Sequence, residues 1–195
     1  MAFRKPYSGK DGKRFDGPAK KATEDYLKVA PNLRVTVREL DREMGIDMYL
    51  HDGPEFLRHL EIETKDDSKW RRPWTKTEFP WPDVNFLLRK LKHLEGREGG
   101  YDARGLWVLW NHDYTQHLVV KFSDIEKLYR EALEIEKNGG PKALVHVSNR
   151  VEREAQAGQK NKEPDLFLKI PLSIAHLNGL DEVIARYGKQ PVTTN

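Results

Sequence analysis

The chain has 195 residues, 37% of them hydrophobic and 33% charged, with 34 Lys and Arg against 31 Asp and Glu for a formal charge of +3. That length suits one domain with a real core, although the charged share exceeds the usual value of roughly 25%. The absence of cysteine excludes disulfide scaffolds, Cys-bound zinc, iron–sulfur clusters and cysteine nucleophiles, so any metal here is held by carboxylates or His.

In chain order, residues 1–16 read as a basic N-terminal arm; up to Lys21 there are seven Lys or Arg and two Asp, an excess of 7 − 2 = +5. Residues 17–30 form a helix, with Ala22, Tyr26 and Val29 at helical spacing and Pro31 as its stop; this helix carries Glu24. Two candidate strands follow, 33–40, whose pattern equally fits the start of a helix, and 46–51, and then Gly53-Pro54 supplies a turn. Residues 56–66 alternate, which puts Leu60, Ile62 and Thr64 on one face and Glu61, Glu63 and Lys65 on the other.

Residues 69–76, KWRRPWTK, hold four cations and two Trp without an acid. Lys69, Trp70, Arg71 and Arg72 are therefore candidates for phosphate contact and base stacking, with Trp74 beside them. The segment 79–94 begins extended and ends in a short amphipathic helix whose Arg89 and Lys90 are further phosphate candidates. LWVLWN at 106–111 reads as a central strand buried on both sides, with Trp107 and Trp110 in the core, and HLVVKF at 117–122 as its hairpin partner. His112, Asp113 and His117 flank that turn without the ligand spacing of a zinc motif, so both imidazoles read as ordinary surface groups.

Ser123 opens a helix that ends at Gly139-Gly140. Strands at 143–147 and 166–170, a closing helix over 174–187 and a frayed tail at 189–195 complete the chain. The predicted class is α/β, a mixed central sheet flanked by helices within a single domain spanning 1–195. No apolar run spans a bilayer and the basic N-terminus lacks a signal-peptide core, so a soluble cytoplasmic protein with no membrane partner is expected.

The chemistry concentrates in four residues. An acid inside a strand is costly unless it is paired or bound to a cation. Asp47 lies in the apolar stretch GIDMYL, and Glu63 and Lys65 lie two apart on the following strand. Antiparallel pairing brings the two carboxylates to one spot, and hard oxygen ligands suit Mg²⁺ or Mn²⁺, which complete their shells with water and substrate phosphate. Lys65 is placed to orient the attacking water, and Glu24 on the first helix is the fourth residue weighed with them.

This pattern resembles the PD-(D/E)xK nuclease superfamily, in which an acid on one strand is followed by (D/E)-x-K on the next. Asp47 matches the first acid, Glu63-Thr64-Lys65 the triplet and Glu24 the helix-borne acid of many members, while Ile46 stands in place of the proline. The likeness covers roughly residues 24–133. It implies a restriction endonuclease-like core and a Mg²⁺-dependent enzyme that hydrolyses DNA phosphodiesters. Asp47, Glu63, Glu24 and the Thr64 carbonyl would then hold the ion, and Lys65 the water. Two alternatives stay open in the triplet: Glu61-Ile62-Glu63 as an ExE variant, or Glu61, Glu63 and Lys65 as the solvated face of an edge strand. RNA as the polyanion, self-association into a dimer, and a non-catalytic nucleic-acid-binding module on the same scaffold also remain open.

Overall fold

A computed structural model describes residues 17–30, 33, 36–39, 47–52, 55–69, 71–72, 74–88, 105–140, 144–146 and 166–187. The basic arm, Trp70, Arg89, Lys90 and the tail lie outside them. The chain divides into two compact units, Met1–Pro80 with Arg104–Phe122 and Ala175–Asn195, and Trp81–Ala103 with Ser123–Ile174.

The first unit opens with α1 (Gly17–Val29), which buries Ala19, Thr23 and Leu27 at every fourth position and carries Lys28 in its last turn, where a cation suits the helix dipole. Its outer face is tied by Lys21 to Asp25 and by Lys28 to Glu24. Then come β1 (Thr36–Glu39), β2 (Met48–Asp52) and β3 (Glu55–Thr64), an antiparallel meander with a register shift between Leu50 and His51. After β4 (Asp83–Leu87), which belongs to the other unit, β5 (Leu106–Trp110) and β6 (His117–Lys121) form the expected hairpin. The sheet order is β1-β2-β3-β5-β6-β9, with β9 at His176–Leu177. Only β3 and β5 run parallel within it, so the sheet is mixed and the α/β class stands.

One face of this sheet presents Met48, Leu50, Leu60, Ile62, Leu106, Val108, Trp110 and Val119 to a core shared with Ala19 and Leu27 of α1 and with Leu180, Val183 and Ile184 of the last helix, α3 (Leu180–Tyr187). Every residue of β5 is buried, as a continuous apolar run requires. The other face of β3 is not a solvated ladder. His59 and Glu61 are buried there, Glu61 with only 7% of its surface exposed, which corrects the edge-strand alternative.

In the second unit β4, β8 (Leu166–Pro171) and β7 (Leu144–His146) form an antiparallel sheet in the order β4-β8-β7. Val84 and Phe86 lie opposite buried Ile170 and Leu168, and Lys169 pairs with Asp83 at 3.6 Å. The helix α2 (Phe122–Lys137) begins one residue before Ser123, because the Phe122 N–H is already fixed by the Gly105 carbonyl at 2.9 Å. It ends as expected, with Gly139 at φ 75°.

The closing helix is shorter than its sequence pattern. A 3₁₀ turn at Leu172–Ile174 and strand β9 occupy its first half, and α3 begins only at Leu180. The cause is tertiary: Asn178, at φ 52°, spends its side chain on the His117 N–H, the Lys76 carbonyl and Gln116 Oε1. Among the described residues no helix is long and apolar enough to cross a membrane.

Candidate functional site

Asp47 stands immediately before β2, where Met48 pairs with Leu60. Its own N–H donates to the Leu60 carbonyl at 3.1 Å, and its Oδ2 accepts the Ile62 N–H at 2.7 Å. The carboxylate therefore lies along the edge of β3, one residue short of Glu63. Its other oxygen faces Lys20 of α1, with Nζ at 3.2 Å, so a cation already neutralises this half-buried acid. The antiparallel course of β2 and β3 puts the start of one beside the end of the other, and Asp47 and the 63–65 triplet consequently share one end of the sheet.

Glu63 Oε2 accepts the Trp107 indole N–H at 3.2 Å, on the face opposite the α1 core. Lys65 lies just past β3, its N–H donating to the Trp110 carbonyl at 2.7 Å, which extends the β3–β5 pairing by one step. Glu24 sits one turn of α1 beyond Lys20, its Oε2 3.7 Å from Lys28 Nζ. Two carboxylates and the Thr64 carbonyl are hard oxygen donors, and a protein site for Mg²⁺ needs only one or two carboxylates, so the donor chemistry fits that ion. Among the described residues no three His, Asp or Glu side chains gather closely enough to hold a metal, so Asp47, Glu63 and Glu24 are not assembled as a three-acid cluster.

Of the basic loop, Lys69, Arg71 and Arg72 are exposed within a few residues of Lys65. Trp74 is not available for stacking. It is buried, with 6% exposure, edge-on to Phe79 at a ring separation of 4.9 Å. Trp107 and Trp110 are core residues as expected; Trp110 Nε1 donates to Thr23 Oγ1 at 2.8 Å.

The two imidazoles of the β5–β6 hairpin differ: His112 is exposed, as expected, whereas His117 is not a surface group. His117 is buried, and burial pushes it down to about 4; its neutral Nε2 accepts the Leu180 N–H at 3.3 Å. It borders an open depression of about 840 Å³ lined also by Tyr26, Trp110, Tyr114 and Asp181. Tyr26 donates its hydroxyl proton to Asp181 at 2.7 Å, and burial together with that bond raises the phenol well above its ordinary value.

His112 is held by an acid that the sequence pattern did not single out. Asp67, with 4% of its side chain exposed, accepts both the His112 N–H at 2.8 Å and the Nδ1–H at 2.6 Å. The bond with Asp67 raises His112 above the usual imidazole value, against the opposing effect of desolvation and with help from the charges of Asp67, Asp113 and Asp66. The available signal was that a buried acid follows a buried strand, but no spacing tied it to a His 45 positions later. No protein-family model, curated protein or solved structure matches the chain.

Proposed function

We propose that the protein is a divalent-metal-dependent endonuclease that hydrolyses DNA phosphodiesters at a PD-(D/E)xK-type site on a restriction endonuclease-like core. One observation carries the reading: Asp47 at the start of β2 bonds the backbone of Ile62, adjacent to Glu63-Thr64-Lys65 at the end of β3. A mixed sheet in which, among the described residues, β3 and β5 pair in parallel next to the meander supports the reading.

Asp47, Glu63 and the Thr64 carbonyl would hold Mg²⁺ or Mn²⁺, with Glu24 reaching them through water. When bound, the ion supplies Lewis acidity and a water of lowered pKa. Lys65 would orient the attacking water and offset charge building up at phosphorus, while Lys69, Arg71 and Arg72 would position the phosphate backbone electrostatically. Lys20, 3.2 Å from Asp47 Oδ1, would balance the charge of that carboxylate before substrate arrives.

The test is cleavage of plasmid and single-stranded DNA with Mg²⁺ or Mn²⁺, quenched by EDTA. Wild type is expected to cut, and Asp47→Ala and Lys65→Ala to lose at least about a hundredfold; equal cleavage by either variant refutes its assigned role. The Lys20–Asp47 pair favours one second reading, a non-catalytic nucleic-acid-binding module in which an ammonium takes the place of the metal. That reading expects salt-sensitive binding that EDTA leaves unchanged.

A further inference from the structure

We infer that His112 donates the proton to the leaving oxygen of this same hydrolysis, with Asp67 as its positioning residue; the inference rests on the hydrolase reading above. A phosphodiester cleavage makes two demands, an oriented water on one side of phosphorus and relief of the oxyanion that departs on the other. Lys65 serves the first. Among the residues assigned so far, none serves the second.

His112 has the required construction. Three backbone-anchored bonds join it to Lys65: the Asp67 N–H donates to the Lys65 carbonyl at 3.0 Å, the Lys65 N–H donates to the Trp110 carbonyl at 2.7 Å, and the His112 N–H donates to Asp67 Oδ1 at 2.8 Å. Lys65 and His112 are therefore fixed to each other at the ends of the parallel strands β3 and β5. Because Asp67 takes Nδ1–H, the other ring nitrogen, Nε2, bears the transferable proton of the imidazolium, and the ring is 42% exposed.

The turn that carries the ring is built rather than loose. Asn111 Oδ1 accepts the N–H groups of Thr115 and Gln116 at 2.9 and 3.0 Å, and Tyr114 is held at φ 60°, an unusual conformation for a bulky side chain. The charged groups facing the imidazole are Asp66, Asp67 and Asp113, all of which favour the cation.

In the step itself the water oxygen bonds to phosphorus as the bond from phosphorus to the leaving oxygen breaks. That bond's electron pair stays on the leaving oxygen, which takes the Nε2 proton of His112. The water's proton goes to solvent, and the neutral imidazole is reprotonated from solvent before the next turnover.

The experiment compares His112→Gln with wild type on two oligonucleotides, one natural and one with sulfur in place of the bridging leaving oxygen at a single linkage, since a thiolate departs without a proton. The expected result is a loss of about a hundredfold on natural DNA and less than about threefold on the sulfur substrate. Asp67→Asn, which keeps the imidazole, should move the alkaline limb of the natural-substrate pH profile to lower pH. Equal slowing of both substrates by His112→Gln, or of neither, overturns the inference, as does an unmoved limb in Asp67→Asn. If His112→Gln fails to fold by circular dichroism, Asp67→Asn decides alone. Failure of the hydrolase reading looks different: wild type cuts neither oligonucleotide, or Asp47→Ala cuts as wild type does, and the proton-donor role falls with it.

Discussion

Asp47 is bound to Ile62 through its side chain, accepting at 2.7 Å a backbone proton of β3 beyond the last β2–β3 pair, Met48 with Leu60. Replacing Asp47 by Ala strips that N–H of its acceptor, at a cost of about 1 to 2 kcal/mol. Asn keeps an acceptor and gives up only the attraction to Lys20, which solvent screens because both side chains are partly exposed, so Asp47→Asn should cost less than about 1 kcal/mol. Urea denaturation of both variants measures the difference; equal losses would mean that the Ile62 bond contributes nothing.

The hairpin imidazoles set opposite pH dependences. His117 titrates at about 4 in the fold and near 6.5 when unfolded, so the unfolded chain binds the extra proton between those values. Its contribution is fully present above pH 6.5 and is lost as pH falls toward 4, by roughly 3 kcal/mol on the scale of 1.36 kcal/mol per unit. His112, raised by Asp67, acts in the other sense: its contribution is present below its unfolded value and is lost as pH rises through its folded one. Denaturation at pH 7 and pH 4.5 should show a net loss at the lower pH, and His117→Leu should flatten that slope while lowering stability at pH 7 through the orphaned Leu180 N–H.

Gly105 has no room for a methyl group. A Cβ there would stand 2.3 Å from His59 Nε2 and 2.6 Å from the Phe122 ring, both in buried residues. Gly105→Ala is therefore expected to destabilise the protein by about 1 to 3 kcal/mol through overpacking. Thermal melting of the variant checks this, and an unchanged midpoint would show that the rings shift without cost.

Thr23 links helix to sheet with a single hydroxyl, which donates to the Ala19 carbonyl and accepts from Trp110 Nε1, both at 2.8 Å. Thr23→Val keeps the shape and leaves a buried indole N–H unsatisfied, for a loss of about 1 to 3 kcal/mol. Thr23→Ser retains the oxygen and should recover most of it. If urea midpoints rank Ser with Val, the hydroxyl bond is not what stabilises this contact.

What the letters revealed follows the range of the interactions involved. β5, its hairpin with β6 and the end of α2 at Gly139 were legible because an apolar run, a two-strand connection and a glycine in the left-handed region are local signals. The start of α3 was not, since Asn178 is held by groups near residues 76 and 117 that no window around it contains. The same holds for the candidate site. Alternation on β3 identified Glu63 and Lys65, but the partners that fix the acids, Lys20 for Asp47 and Trp107 for Glu63, come from other elements. Trp74 beside two arginines has the composition of a stacking platform, yet packing against Phe79 takes it inside.

The parallel contact of β3 with β5 also dictates an order of assembly. Each antiparallel neighbour in this sheet except β9 joins a strand adjacent in sequence, whereas β3 must wait for the whole stretch from Lys65 to Gly105 before it meets its partner. Closing that long loop is the entropically slow event, so the two hairpins on either side would zip first and dock afterwards. Residues 65 and 112 then come together only at this docking, so the hydrogen-bonded link from Lys65 through Asp67 to His112 exists only once the sheet is complete.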